Sequence, residues 1–215
     1  MTDTPQLALF PLGIVLYPGE LIPLHIFEPR YKRMIRDCRA EDGRFGLVLL
    51  PGRTMAKVGC IARIEEVLRE YSDGRLDIRV MGTTRFRVGQ IRKKGPYLTC
   101  AYEPIEEAEC ISDRSRTERL ITQHMKLLEL AGRRVRPSMY EEADCLSYLI
   151  ARNAGLDLKQ KQALLEIPTE DERIGYLIQH METFIPRVER IESLQQKIRS
   201  NGHFDEFPPG QDESD

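Results

Sequence analysis

Apolar positions change their period along this chain, and each change predicts a different element. Two short apolar runs come first, Leu7–Phe10 and Leu21–Phe27, separated by a connector with Pro11, Gly13 and Pro18-Gly19. Proline presets φ for the second position of a turn and glycine supplies positive φ for the third, so Pro18-Gly19 predicts a type II turn. Tyr31, Met34, Ile35 and Cys38 then fall at i, i+3, i+4 and i+7, one face of a helix. Pro29 suits its first position, Glu28 faces the positive end of its dipole, and Gly43 serves as C-cap. Over 44–106 the period is two. Cys60, Ala62 and Ile64 alternate with Ile61, Arg63 and Glu65, and Leu76, Ile78 and Val80 alternate with Asp77, Arg79 and Met81. Asp73-Gly74 predicts a hairpin between them, Gly82 a bulge, and Gly95-Pro96 a further turn. Pro23 cannot donate to a ladder, so its strand belongs at an edge or a bulge.

From about Ser112 the period is helical. Four capping boxes mark helix starts: Ser115 with Glu118, Ser138 with Glu141, Thr169 with Glu172, and Asp157 with Gln160. The expected buried positions are Leu120, Ile121, Met125 and Leu128, then Tyr140, Ala143, Leu146, Leu149 and Ile150, then Ala163, Leu164 and Ile167. Ile174, Leu177, Met181, Phe184, Val188 and Ile191 continue one phase through Pro186, predicting a single last helix kinked near 183–186. Several short strands, one early helix and no βαβ alternation give an α+β chain whose strands form a small closed or curled antiparallel barrel. The expected division is a β domain over 1–110, a helical bundle over 111–200 and a disordered acidic tail over 201–215.

Composition narrows the function. Hydrophobic residues make up 41% and charged residues 31%, an ordinary polar-surfaced protein with net charge −2. Up to Cys110 there are 17 basic against 15 acidic residues, and after it 15 against 19, so strong nonspecific nucleic-acid binding has no electrostatic support. No run is long enough to span a bilayer, and the opening MTDTPQ lacks the regions of a signal peptide, which predicts a cytoplasmic protein. Five cysteines without any C-x-x-C are expected to be small buried hydrophobes in a reducing compartment.

The order PLxxxxxPGxxxPLHIFEPRY, with Pro11, Leu12, Pro18, Gly19, Pro23 and Leu24–Tyr31, resembles the N-terminal substrate-binding domain of ATP-dependent Lon proteases. The resemblance is greatest to bacterial proteins in which that domain stands alone. It continues through Val58–Ile64, Asp73-Gly74-Arg75, Gly82–Val88 and Lys161–Pro168. It implies a PUA-like β domain and recognition of unfolded or degron-bearing polypeptide, with a protease as a further partner. The phosphate-binding G-x-x-x-x-G-K-[ST] motif of a full Lon protease is absent from the sequence, so ATP use and proteolysis are not implied with it.

Candidate chemistry is sparse. A nucleophile with a base would have to be His25 with Cys38 or Cys60; a packed or capping His25 is the plainer expectation. His124 and His180 have no partners at ligand spacing, so no metal and no cofactor are expected. Peptide-binding candidates are apolar residues that the pattern assigns to neither core: Leu16, Tyr17, Leu21 and Met81, acting by strand addition at an edge or in a groove where the two halves meet. The contrasting candidate is an RNA-binding strand with Arg85, Arg87, Arg92, Lys93 and Lys94; its alternative is a solvated sheet face with Arg85 paired to Glu28 or another carboxylate.

Overall fold

In the computed structural model of the chain, residues 6–201 are described apart from 108, 109, 111, 135 and 142, and without the side chains of 94 and 199–201. Of the tail expected over 201–215, Asn201 ends the last helix and 202–215 lie outside the described residues. Strand β1 (Gln6–Leu12) leads through the Pro18-Gly19 turn to β2 (Leu21–Ile26), helix α1 (Pro29–Ala40), β3 (Arg44–Leu49), β4 (Val58–Glu70), β5 (Leu76–Lys94) and β6 (Tyr97–Pro104). Helices α2 (Arg114–Leu130), α3 (Ser138–Glu141), α4 (Leu146–Ala151), α5 (Leu158–Glu166) and α6 (Glu170–Asn201) follow.

The six strands form one sheet in the order β2-β5-β4-β3-β1-β6, and β6 also pairs with β5. An all-antiparallel arrangement was expected; β1 and β3 instead run parallel, Leu9 opposite Gly46 and Leu12 opposite Leu49. The crossover between them carries β2 and α1, which local alternation cannot reveal. Pro23 lies on β2, which among the described residues pairs only with β5, so the edge placement holds. Gly82 sits at a register shift, because Cys60 opposes Arg85 while Ala62 opposes Gly82. Its missing side chain matters: a Cβ there would collide with the Tyr17 carbonyl, and Gly19 N–H donates to the Gly82 carbonyl at 2.8 Å.

Helix α1 buries Tyr31, Met34, Ile35 and Cys38 beneath the sheet, and Gly43, at φ 72°, donates to the Cys38 carbonyl at 2.8 Å. The boxes at Asp157/Gln160 and Thr169/Glu172 form. Ser115 does not start α2; Asp113 caps it, accepting from Arg116 N–H. Ala163 is exposed, and Leu165 takes the buried place beside Leu164. Helix α6 is one element of 32 residues, about 48 Å long. It continues through Pro186. One apolar cluster joins the halves: Val15, Tyr17, Leu49 and Val58 from the sheet side pack with Tyr148, Leu164, Leu165, Ile174, Leu177 and Met181. Among the described residues no helix is long and apolar enough to cross a membrane.

Candidate functional site

Where sheet and helices meet, Arg85 of β5 is 1% exposed. Its guanidinium pairs with Glu107 and donates to the carbonyls of Leu165, Ile167 and Pro168 at 2.8, 2.8 and 3.2 Å. Arg173 of α6 donates to the Ile167 and Pro168 carbonyls from the other side and pairs with Glu170 at 3.0 Å. Glu170 in turn accepts from the Ser147 N–H and hydroxyl. Two buried cations thus hold the α5–α6 connector onto β5. Arg85 is therefore removed from the RNA-binding set and from the solvated-face alternative. The carboxylate pairing does occur, with Glu107. The sequence gives no hint of this, because the connector that covers this sheet face lies eighty residues downstream. Arg87 and Lys93 are exposed, Arg92 donates to Gln90, and the Lys94 side chain lies outside the described residues.

Beside this clamp a groove of about 560 Å³ opens between the halves. Pro18, Gly19 and Thr83 line it from the sheet; Met139, Ala143, Asp144, Tyr148, Leu149 and Arg152 line it from the helical side, with Glu107, Cys110 and Cys145 between. Tyr17 and Leu16 are not surface residues, contrary to their candidacy. Both are buried, Leu16 in the sheet core and Tyr17 in the cluster shared with the helices. The Tyr17 ring stacks on Tyr148 at 5.5 Å and its hydroxyl donates to the Lys161 carbonyl at 3.1 Å. It anchors the turn that forms the groove wall, and burial pushes its pKa far up. Burial likewise raises the Glu20 carboxyl, which accepts from Tyr17 N–H, and lowers the Arg152 guanidinium. Arg152 Nε is buried without a hydrogen-bond partner among the described residues.

Leu21 and Met81 are brought together, directly opposite each other across β2 and β5. Leu21 is 54% exposed and Phe27, just past the same strand, 58%. The Pro18-Gly19 turn connects groove to edge: it lines the first, and β2 begins two residues later. On β2, His25 Nδ1 lies 2.5 Å from Asp77, whose other oxygen accepts from the Tyr71 hydroxyl at 2.8 Å. His25 is exposed rather than packed. Cys38 and Cys60 are buried, and burial pushes both thiols up, Cys38 to about 12, so neither is a ready nucleophile.

The cysteine expectation fails at one pair. Cys110 and Cys145 form a disulfide with Cα atoms 5.5 Å apart, brought together across 35 residues that include α2 and α3. Their sulfurs and a Glu170 oxygen lie within 4.8 Å of one another. As a metal donor set this group is already used: the sulfurs are bonded to each other and both Glu170 oxygens accept hydrogen bonds. Sequence reasoning missed Arg152, Glu107, Tyr148 and this pair, since each gains its place only from tertiary contacts.

Comparison with known proteins fits this architecture. The model of the ATP-dependent protease La (LON) substrate-binding domain matches residues 6–183. The Lon protease of Flavobacterium johnsoniae is 27% identical over 214 residues, covering 90% of this chain and 26% of that protein. Lon protease 2 of Myxococcus xanthus is 28% identical over 183 residues, covering 76% and 22%. The chain spans about a quarter of the length of the curated Lon proteases it matches. Among solved structures, a Lon N-terminal domain protein from Xanthomonas campestris superposes with a TM-score of 0.67 at 28% identity, covering 81% of this chain and 97% of that one. The N-terminal domain of the Mycobacterium avium complex Lon protease shares the fold, with a TM-score of 0.61 at 20% identity over 84% of this chain and all of that one. The chain belongs to the family of ATP-dependent protease La (Lon) substrate-binding domains.

Proposed function

We propose that the chain is a noncatalytic polypeptide-recognition module that binds unfolded or degron-bearing segments and passes them to a protease. The observation that carries this reading is the continuity of the junction groove with the β2 edge. A bound segment places an apolar side chain against Tyr148 and Leu149, meets the free Nε–H of Arg152 with a carbonyl, and extends beside Leu21 and Phe27. Burial of apolar side chains and main-chain hydrogen bonds tolerate many sequences, as a client-binding surface requires. Pro23 offers no N–H, so it shortens the edge that a client strand could pair with and limits association between copies.

The test is binding of a carboxymethylated, permanently unfolded model protein, followed by anisotropy, with the fold verified by circular dichroism. Parent protein binds, and the exposed-edge variant Leu21→Asp/Phe27→Asp keeps its melting temperature but loses affinity. Absence of binding by the folded parent ends the reading.

A further inference from the structure

The sheet half carries a second concavity, of about 620 Å³, that shares no lining residue with the junction groove. Its floor is apolar: Leu9 and Pro11 of β1, Leu50 and Met55 after β3, and Ile91 and Leu98 from the β5–β6 hairpin. Three cations, Arg30, Arg53 and Lys93, belong to its lining, and none of the lining residues is a carboxylate. Arg30 is already committed, to Glu28 at 2.8 Å and over the Tyr31 ring at 4.5 Å. Asp37, which accepts from the Tyr97 hydroxyl at this end of the sheet, is itself paired with Arg33. Arg53 and Lys93 are exposed and make no ion pair among the described residues.

Two uncompensated cations beside an apolar floor define a ligand by complementarity. We propose that this cleft binds polypeptide segments in which an apolar side chain is flanked by carboxylates. The apolar side chain enters between Ile91, Leu98 and Met55, and the flanking carboxylates meet Arg53 and Lys93. This deepens the reading given above by assigning a preferred client chemistry to a second contact. Nucleic acid fits less well: most of the floor is aliphatic, Tyr31 is buried beneath Arg30, and the other aromatic of the lining, the half-buried Tyr97, has its hydroxyl on the Asp37 carboxylate, which repels phosphate.

The experiment uses three labelled peptides that differ only in the residues flanking a central leucine pair: aspartate, serine or lysine. Anisotropy is measured over a salt series with the parent protein, with Arg53→Glu/Lys93→Glu, and with a short polyuridylate as a fourth probe. Both substituted positions are exposed, so the variant folds, which circular dichroism verifies. The aspartate peptide binds the parent roughly fivefold tighter than the serine peptide, the sum of two exposed ion pairs. The gap closes as salt rises, and the double charge reversal makes the lysine peptide the preferred one. Equal affinities for the aspartate and serine peptides overturn the proposal, as does an acidic preference that survives the charge reversal. Polyuridylate binding that the variant abolishes, without peptide discrimination, overturns it in favour of nucleic acid. If the unfolded model protein still binds while the peptides are not discriminated, only this inference fails. If neither binds, the proposed function fails with it.

Discussion

Replacing Arg85 with methionine tests whether two buried guanidinia hold the helical half onto the sheet. Methionine keeps the length and apolar stem, so the change removes charge and donors with little loss of packing. Breaking one side of a buried ion pair costs about 3–5 kcal/mol, because the remaining charge is left without a partner. Here the remaining partners are partly rescued. Glu107 keeps the Tyr148 hydroxyl at 3.0 Å and Arg173 at 3.3 Å, and the Ile167 and Pro168 carbonyls keep Arg173. Only the Leu165 carbonyl loses its guanidinium donor outright. The expected cost therefore lies at the low end, about 3 kcal/mol. In urea this moves the unfolding midpoint by about 1 M for a chain of this size. Glu107→Gln leaves Arg85 without a carboxylate, while Arg173 keeps Glu170. The cycle of the two single variants and the double variant returns a coupling of about 2 kcal/mol. Because Arg85 is buried and the Glu107 side chain is only 23% exposed, that coupling falls less between low salt and about 0.5 M than that of an exposed pair. A loss below about 0.5 kcal/mol for Arg85→Met, or a coupling that vanishes with salt, would refute the clamp.

Three further outcomes follow from the same geometry. Reducing the Cys110–Cys145 bond frees a loop of 35 residues and lowers stability by about 4 kcal/mol on the chain-entropy account, read as a drop in melting temperature with dithiothreitol that Cys110→Ser/Cys145→Ser reproduces without it. Gly82→Ala forces apart the contact with the Tyr17 carbonyl and costs about 2–3 kcal/mol, measured by denaturant titration; an unchanged midpoint shows that the turn yields freely. Burial lowers the pKa of His124 to about 4 from an ordinary value near 6.5, so the unfolded chain binds the proton more readily. The stability from this group is full above pH about 6.5 and is lost as pH falls toward 4. His124→Gln flattens that part of the stability–pH profile; an unaltered slope would show that another group causes it.

The residues that belong to local elements were legible. Tyr31, Met34, Ile35 and Cys38 occupy the buried face of α1 because helical period alone fixes a face. The Asp73-Gly74 hairpin, the Gly82 bulge, the edge position of Pro23 and the boxes at Asp157 and Thr169 follow from backbone chemistry that acts within a few residues.

What lay beyond reach depends on which surface each element later meets. Alternation marks Arg85 and Arg87 as one wet face, and for Arg87 it is right. Arg85 is buried only because the α5–α6 connector arrives there and offers three carbonyls. Tyr17 and Leu16 sit in an irregular connector with no period to assign them, and two different cores claim them. Cys110 and Cys145 meet through a helix turn-back that no spacing encodes. Sequence fixes the faces of helices and strands through periods of 3.6 and 2, which are properties of one backbone; which face is covered depends on contacts between segments far apart in the chain, and only the tertiary structure supplies those.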